Sequence, residues 1–209
     1  MRILIAIPSM DQVPAQFAAS LAMLRKTEET AVAFEISSLI YTARNTLALK
    51  AIEHKADYIL WLDSDMQFAP DTLEKLYADY KADKGDIISG LYFRRVAPFS
   101  PVLFDWLEMT AEGCFHTEPK TIPDDIFEVQ GIGFGCVFMD IGVIIDVFNK
   151  FGTAFGPING VGEDLSFCWR ARQCGYKIVV DPAIQLGHVA HTVVDREFWE
   201  TFNENKEGK

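Results

Sequence analysis

The chain has 209 residues, 49% hydrophobic and 23% charged, with 16 Phe and 4 Trp available for a core. These values exclude a disordered or fibrous polypeptide and fit one globular domain, or one with a small extension. A formal net charge of -11 repels polyanions at long range and disfavours non-specific nucleic-acid binding.

Met1–Pro8 is too short for a signal-peptide core with its cleavage site and reads as a first strand over residues 2–7, closed by Pro8. A helix follows around Pro14–Arg25, with Phe17, Leu21 and Leu24 on one face. Ala31–Ile36 reads as a second strand. Tyr41–Lys55 has helical spacing, with Ala43, Leu47, Ala51 and Ile52 facing inward and Thr42 as the expected N-cap. Asp57–Leu62 is a third strand. Pro70 and Asp71 open a helix carrying the stripe Leu73, Leu76, Tyr77 and Tyr80, which Gly85 is expected to end. Asp86–Ser89 is a short strand. Prolines punctuate residues 96–125, where loops and an antiparallel hairpin are expected. Phe127–Asp140 reads as one strand broken by glycines. Val143–Lys150 and Glu163–Cys174 read as helices, the second closed by Gly175, and Lys177–Val180 as a last strand. The alternation of strand and helix predicts an α/β domain with a mainly parallel sheet flanked by helices. No apolar run reaches the roughly 20 residues that span a bilayer, so a soluble, cytoplasmic protein is expected. Cys114, Cys136, Cys168 and Cys174 form no C-x-x-C pair, which argues against a zinc knuckle or disulfide framework.

The run Tyr58–Leu62 ends in Asp63-Ser64-Asp65. Side chains alternate along a strand, so the two carboxylates can point the same way. They form a hard oxygen site suited to Mg²⁺ or Mn²⁺, at the strand end where open α/β sheets bind ligands. Such a cation could grip a diphosphate. A calcium EF-hand loop is rejected: Phe68 replaces the central Gly, Pro70 sits inside the loop, and a strand precedes it. An aspartyl-phosphate phosphatase with Asp63 as nucleophile stays open as an alternative. That family usually has Thr or Val where this chain has Gln67, and its motif usually lies on the first strand.

A second constellation runs Gly162-Glu163-Asp164, then Arg170, Gly175-Tyr176-Lys177, and Gly187-His188. Together with Ala43-Arg44-Asn45, Asp63-Ser64-Asp65, Ser89-Gly90-Leu91-Tyr92 and Gly131–Cys136, it resembles the GT-A glycosyltransferases. The likeness is to the family 2 type, in its compact bacterial or phage form. It covers roughly residues 2–190, with the motifs in the family's order. It implies a Rossmann-like GT-A domain over residues 1–195, with a donor-binding part about 1–95 and an acceptor-side part about 96–195. Residues 196–209 would be a C-terminal helix or tail.

The resemblance also implies roles. Asp65 is the expected direct ligand of Mn²⁺ or Mg²⁺, Asp63 binds the ribose or completes the metal shell, and His188 adds an imidazole. His191 is the fallback for His188. Asp164 is the candidate general base of an inverting transfer, and Glu163 binds the acceptor or orients the loop. Pro8, Ser9, Arg44, Asp63, Ser64 and Asp65 form the donor side. The Asp usual after strand two is replaced by Glu35-Ile36-Ser37-Ser38, so UDP- and GDP-sugars both remain open as donor. The acceptor is expected to be a saccharide, a small molecule or a protein; nucleic acid is disfavoured by the charge. A catalytically silent nucleotide- or sugar-binding domain is the other alternative. Gly131, Gly133 and Gly135 lack the dinucleotide-binding spacing and mark either close approach by a ligand or a tight bend.

Overall fold

The computed structural model describes residues 1–190, 193–196, 199 and 200. In chain order the elements are β1 (Ile3–Ser9), α1 (Ala15–Met23), β2 (Thr30–Ile36), α2 (Ile40–Glu53), β3 (Tyr58–Leu62), β4 (Met66–Gln67), α3 (Thr72–Lys81) and β5 (Ile87–Leu91). Then come β6 (Leu103–Phe104), β7 (Trp106–Thr110), β8 (Gly113–Thr117), β9 (Phe127–Val129), β10 (Gly131–Ile132) and β11 (Cys136–Asp140). The chain continues with α4 (Ile141–Phe151), α5 (Glu163–Gln173), β12 (Ile178–Gln185), β13 (Gly187–Val189) and β14 (Val193–Val194).

The central sheet has the order β2-β1-β3-β11-β5-β12-β9. Strands β2, β1, β3, β5 and β12 run one way, and β11 and β9 run against them. The expected mainly parallel sheet is therefore present, with β11 inserted antiparallel at its centre. Alternate residues of each central strand face opposite layers. Leu4, Ala6, Ile59, Trp61, Val137 and Met139 pack under α2, α4 and α5; Ile3, Ile5, Ile7, Leu60, Leu62 and Phe138 pack under α1 and α3. Burial on both faces explains why these strands read as continuous apolar runs.

Local departures from the expected elements have physical causes. Strand β1 continues through Pro8 to Ser9, because β3 pairs with it only as far as Ala6 and a missing N–H beyond that point disrupts only one-sided pairing. Helix α2 starts one residue earlier than expected, and its N-cap is Leu39, three residues before Thr42, which lies inside the helix. Helix α3 ends at Lys81 with Ala82 as cap, and Gly85 instead admits Val179, whose Cγ2 lies 2.7 Å from where a Cβ would be. The segment Phe127–Asp140 is three short strands. The expected hairpin is β7–β8. Helix α5 closes at Cys174 with Gly175 at φ +95°, as the sequence indicates.

Candidate active site

The strands β1, β3 and β5 all point their C-terminal ends at one edge of the sheet. A cavity of about 340 Å³ opens there. Its lining includes Pro8 and Ser9 at the end of β1, Asp63, Ser64 and Asp65 after β3, Arg44 on α2, and Glu163 and Asp164 at the start of α5. All eight residues expected on the donor and catalytic sides thus meet in one pocket.

Asp63 and Asp65 face different partners. Arg44 is the reason for the first. Its guanidinium is 2% exposed, lying 5.1 Å from the Phe134 ring centre and 5.7 Å from that of Trp61. It donates from Nη2 to Asp63 Oδ1 at 2.7 Å and from Nε to Glu163 Oε1 at 3.1 Å, while Nη1 is buried without a hydrogen-bond partner. Burial opposes its charge, but Asp63 and Glu163 outweigh burial and hold its pKa above the ordinary value. For Asp63, burial outweighs Arg44 and the neighbouring Asp65 adds to it, so its pKa is raised. Arg44 is therefore a strut between β3 and α5, with two of its nitrogens already taken by carboxylates.

Asp65 turns to His188. Strands β4 and β13 pair antiparallel with His188 opposite Met66, and Val189 N–H donates to Asp65 O at 2.8 Å. This small sheet, completed by β14, brings His188 Nε2 within 3.3 Å of Asp65 Oδ2. His188 Nδ1 lies 2.9 Å from the Phe93 carbonyl, which can only accept, so Nδ1 carries a proton. Burial would lower the His188 pKa, but the hydrogen bond and charge of Asp65 raise it. Conversely, burial would raise Asp65, and the His188 hydrogen bond and charge, helped by Arg95, lower it.

Asp164 has a different environment. Burial and the neighbouring Glu163 push its pKa up to about 6, although its Oδ1 accepts from Leu165 N–H at 2.7 Å. A carboxylate poised near neutrality suits proton abstraction.

A divalent cation fits part of this arrangement. Asp65 and a His188 with Nδ1–H bonded to a carbonyl leave an oxygen and Nε2 side by side, the usual state of a metal-bound imidazole. No cluster of three His, Cys, Asp or Glu side chains is assembled for a metal among the described residues. Asp63, turned to Arg44, is not within such a cluster. The remaining positions of an ion held here would fall to phosphate oxygens and water. His191 lies outside the described residues, as does most of the 196–209 tail.

Tyr92 entered the sequence reading only as part of the Ser89–Tyr92 motif, with no role assigned. Its hydroxyl accepts from Gly135 N–H at 3.1 Å, and it lines the pocket. A Cβ on Gly133 would sit 2.1 Å from its Oη, and one on Gly135 would sit 2.7 Å from its ring. The alternate glycines therefore admit an aromatic side chain, where the sequence reading weighed a ligand or a bend. Met10, Ser37, Ser38, Ile40, Arg95 and Phe134 also line the cavity.

Residues 40–135 match the family model described as glycosyl transferase family 2. No curated protein is significantly similar in sequence. Among solved structures, A197 from STIV superposes with a TM-score of 0.65 at 20% identity, over 91% of this chain and 86% of that one. GalNAc-T7, solved with UDP, GalNAc and Mn²⁺, gives 0.60 at 13% identity over 91% of this chain. The chain spans only 44% of GalNAc-T7. These identities speak for a shared fold, and the family 2 match favours a transferase over the phosphatase alternative. The sheet order, the pocket at its C-terminal edge and the likeness to these solved structures show a GT-A fold, and residues 40–135 are similar to the family 2 glycosyltransferases.

Proposed function

We propose that the pocket binds a nucleoside-diphosphate sugar, with UDP or GDP as the nucleotide, and transfers the sugar to an acceptor hydroxyl with inversion. The observation that carries this reading is the convergence in one cavity of Asp65, which His188 Nε2 approaches at 3.3 Å, and a separate carboxyl, Asp164, whose pKa is raised to about 6. Asp65 and His188 would hold Mn²⁺ or Mg²⁺, which when bound offsets the charge that develops on the leaving diphosphate. Pro8, Ser9, Ser37 and Ser38 form the wall available to the nucleoside, with Ser64 beside the two aspartates. Asp164 takes the proton from the attacking hydroxyl. Glu163, held by Arg44, fixes the start of α5 and so the position of Asp164. The acceptor would be a saccharide, small molecule or protein; a net charge of -11 disfavours nucleic acid. No helix among the described residues is long and apolar enough to cross a membrane.

The test is Asp164→Asn. Transfer should fall by about 10²–10⁴-fold, with metal-assisted binding of UDP or GDP retained. Full transfer in this variant would remove Asp164 as base. Phosphate release that survives Asp164→Asn and disappears in Asp63→Asn would replace the reading with the phosphatase.

A further inference from the structure

The segment after β5 is pinned at its base. Arg94 N–H donates to Ser100 O at 2.9 Å, Phe93 bridges Pro101, and the Arg94 guanidinium pairs with Glu118 at 2.8 Å. This arrangement presents Arg95 to the pocket, with Nη1 2.7 Å from Asp65 Oδ2. The same oxygen faces His188 Nε2 at 3.3 Å. A cation shared by Asp65 and His188 would use that oxygen, so it competes with Arg95 for it.

The Arg95 side chain is 53% exposed. Ion pairs this accessible are weak and readily exchanged. A guanidinium is also a bidentate partner for phosphate, and Arg95 lines the same cavity as Ser9 and Ser64. We propose that Arg95 is an exchangeable counter-ion: it neutralises Asp65 in the ligand-free protein and transfers to the diphosphate when cation and nucleotide bind. Each ligand then removes an obstacle to the other. The cation displaces Arg95 from Asp65, and the diphosphate gives the freed guanidinium a partner. By linkage, cation and nucleotide bind with positive coupling, and Arg95 carries part of it. Arg95 is thus a positioning residue that delays metal capture until donor is present. The proposal rests on the donor-site reading above.

Calorimetric titrations of Mn²⁺ alone, and of UDP and GDP at saturating Mn²⁺, test it on the wild-type protein, Arg95→Gln and Arg95→Lys. Melting temperatures confirm that each variant is folded. Mn²⁺ alone should bind Arg95→Gln about 2–5-fold more tightly than wild type, the range of an exposed ion pair. The preferred nucleotide should bind that variant at least about fivefold more weakly, and Arg95→Lys should lie between. Unchanged or weaker Mn²⁺ binding in Arg95→Gln, with metal-assisted nucleotide binding intact in wild type, overturns the Arg95 proposal alone. Absence of any metal-assisted UDP or GDP binding in wild type overturns the donor-site reading, and this proposal with it.

Discussion

Replacing Arg44 with Met tests the central electrostatic argument. The substitution keeps an unbranched apolar stem but removes the cation between Asp63 and Glu163. Arg44 is 2% exposed, Glu163 12% and Asp63 30%. Breaking a fully buried pair costs about 3–5 kcal/mol. Partial solvent access at Asp63 screens some of this, so the low end, about 3 kcal/mol, is expected. At about 2–4 °C per kcal/mol for a chain of this size, the melting temperature should fall by about 6–12 °C. The loss should also depend on pH. Asp63 and Asp164 already have raised pKa values, the latter about 6. A carboxyl raised on folding favours the fold at low pH and costs stability as pH climbs through its folded pKa. Without Arg44 that cost grows, so the deficit should be large at pH 7.5 and shrink as pH falls through the Asp164 value of about 6 toward 4.5. Thermal denaturation of both proteins at the two pH values is sufficient. A drop below about 2 °C at pH 7.5, or one equal at both pH values, would refute the strut.

If Asp164 acts as base, kcat/KM for transfer should rise with pH through an inflection near 6, and a flat profile from pH 5 to 7.5 would count against the assignment. His188→Ala should weaken Mn²⁺ binding at least about tenfold while lowering the melting temperature by only a few degrees; unchanged Mn²⁺ affinity by titration would remove His188 from the metal shell. Gly133→Ala should destabilise the fold by about 1–3 kcal/mol through overpacking, since the new methyl would overlap the Tyr92 hydroxyl and Val102 Cγ1, 2.6 Å away. A denaturant midpoint equal to wild type would show that Tyr92 can move aside freely.

The large elements were legible because their signals are local. Ile3–Ile7 and Tyr58–Leu62 are apolar runs long enough for buried strands, and Leu73, Leu76, Tyr77 and Tyr80 repeat at helical spacing. Asp63 and Asp65 were visible because two carboxylates interrupt such a run. What was hidden depends on pairing at long range. Strands β4 and β13 have two and three residues, too few for any periodicity, yet they set His188 beside Asp65. The same limit applies to Arg44. Its residue type was visible, but its two carboxylate partners lie 19 and 119 residues away, and only the packing of Trp61 and Phe134 around it turns the side chain toward them. The part played by Tyr92 escaped, although its motif was visible, because it fills the space above Gly133 and Gly135.

The pairing of β4 with β13 bears on how the enzyme is made. Asp65 and His188 are 123 residues apart. A chain emerging from the ribosome presents β1, β3 and both aspartates first, and must grow by a further 123 residues before the imidazole exists. Arg95, the other partner of Asp65, follows it by only 30 residues and so precedes His188 by a wide margin. The Asp65–His188 pair therefore forms only when Gly187–Val189 docks along Met66–Gln67. A product truncated before Gly187 would keep the coding for every strand of the central sheet and still lack half of the pair. In this molecule the docking of β13 on β4 joins two distant parts of the sequence beside the pocket, after every strand of the central sheet has been encoded.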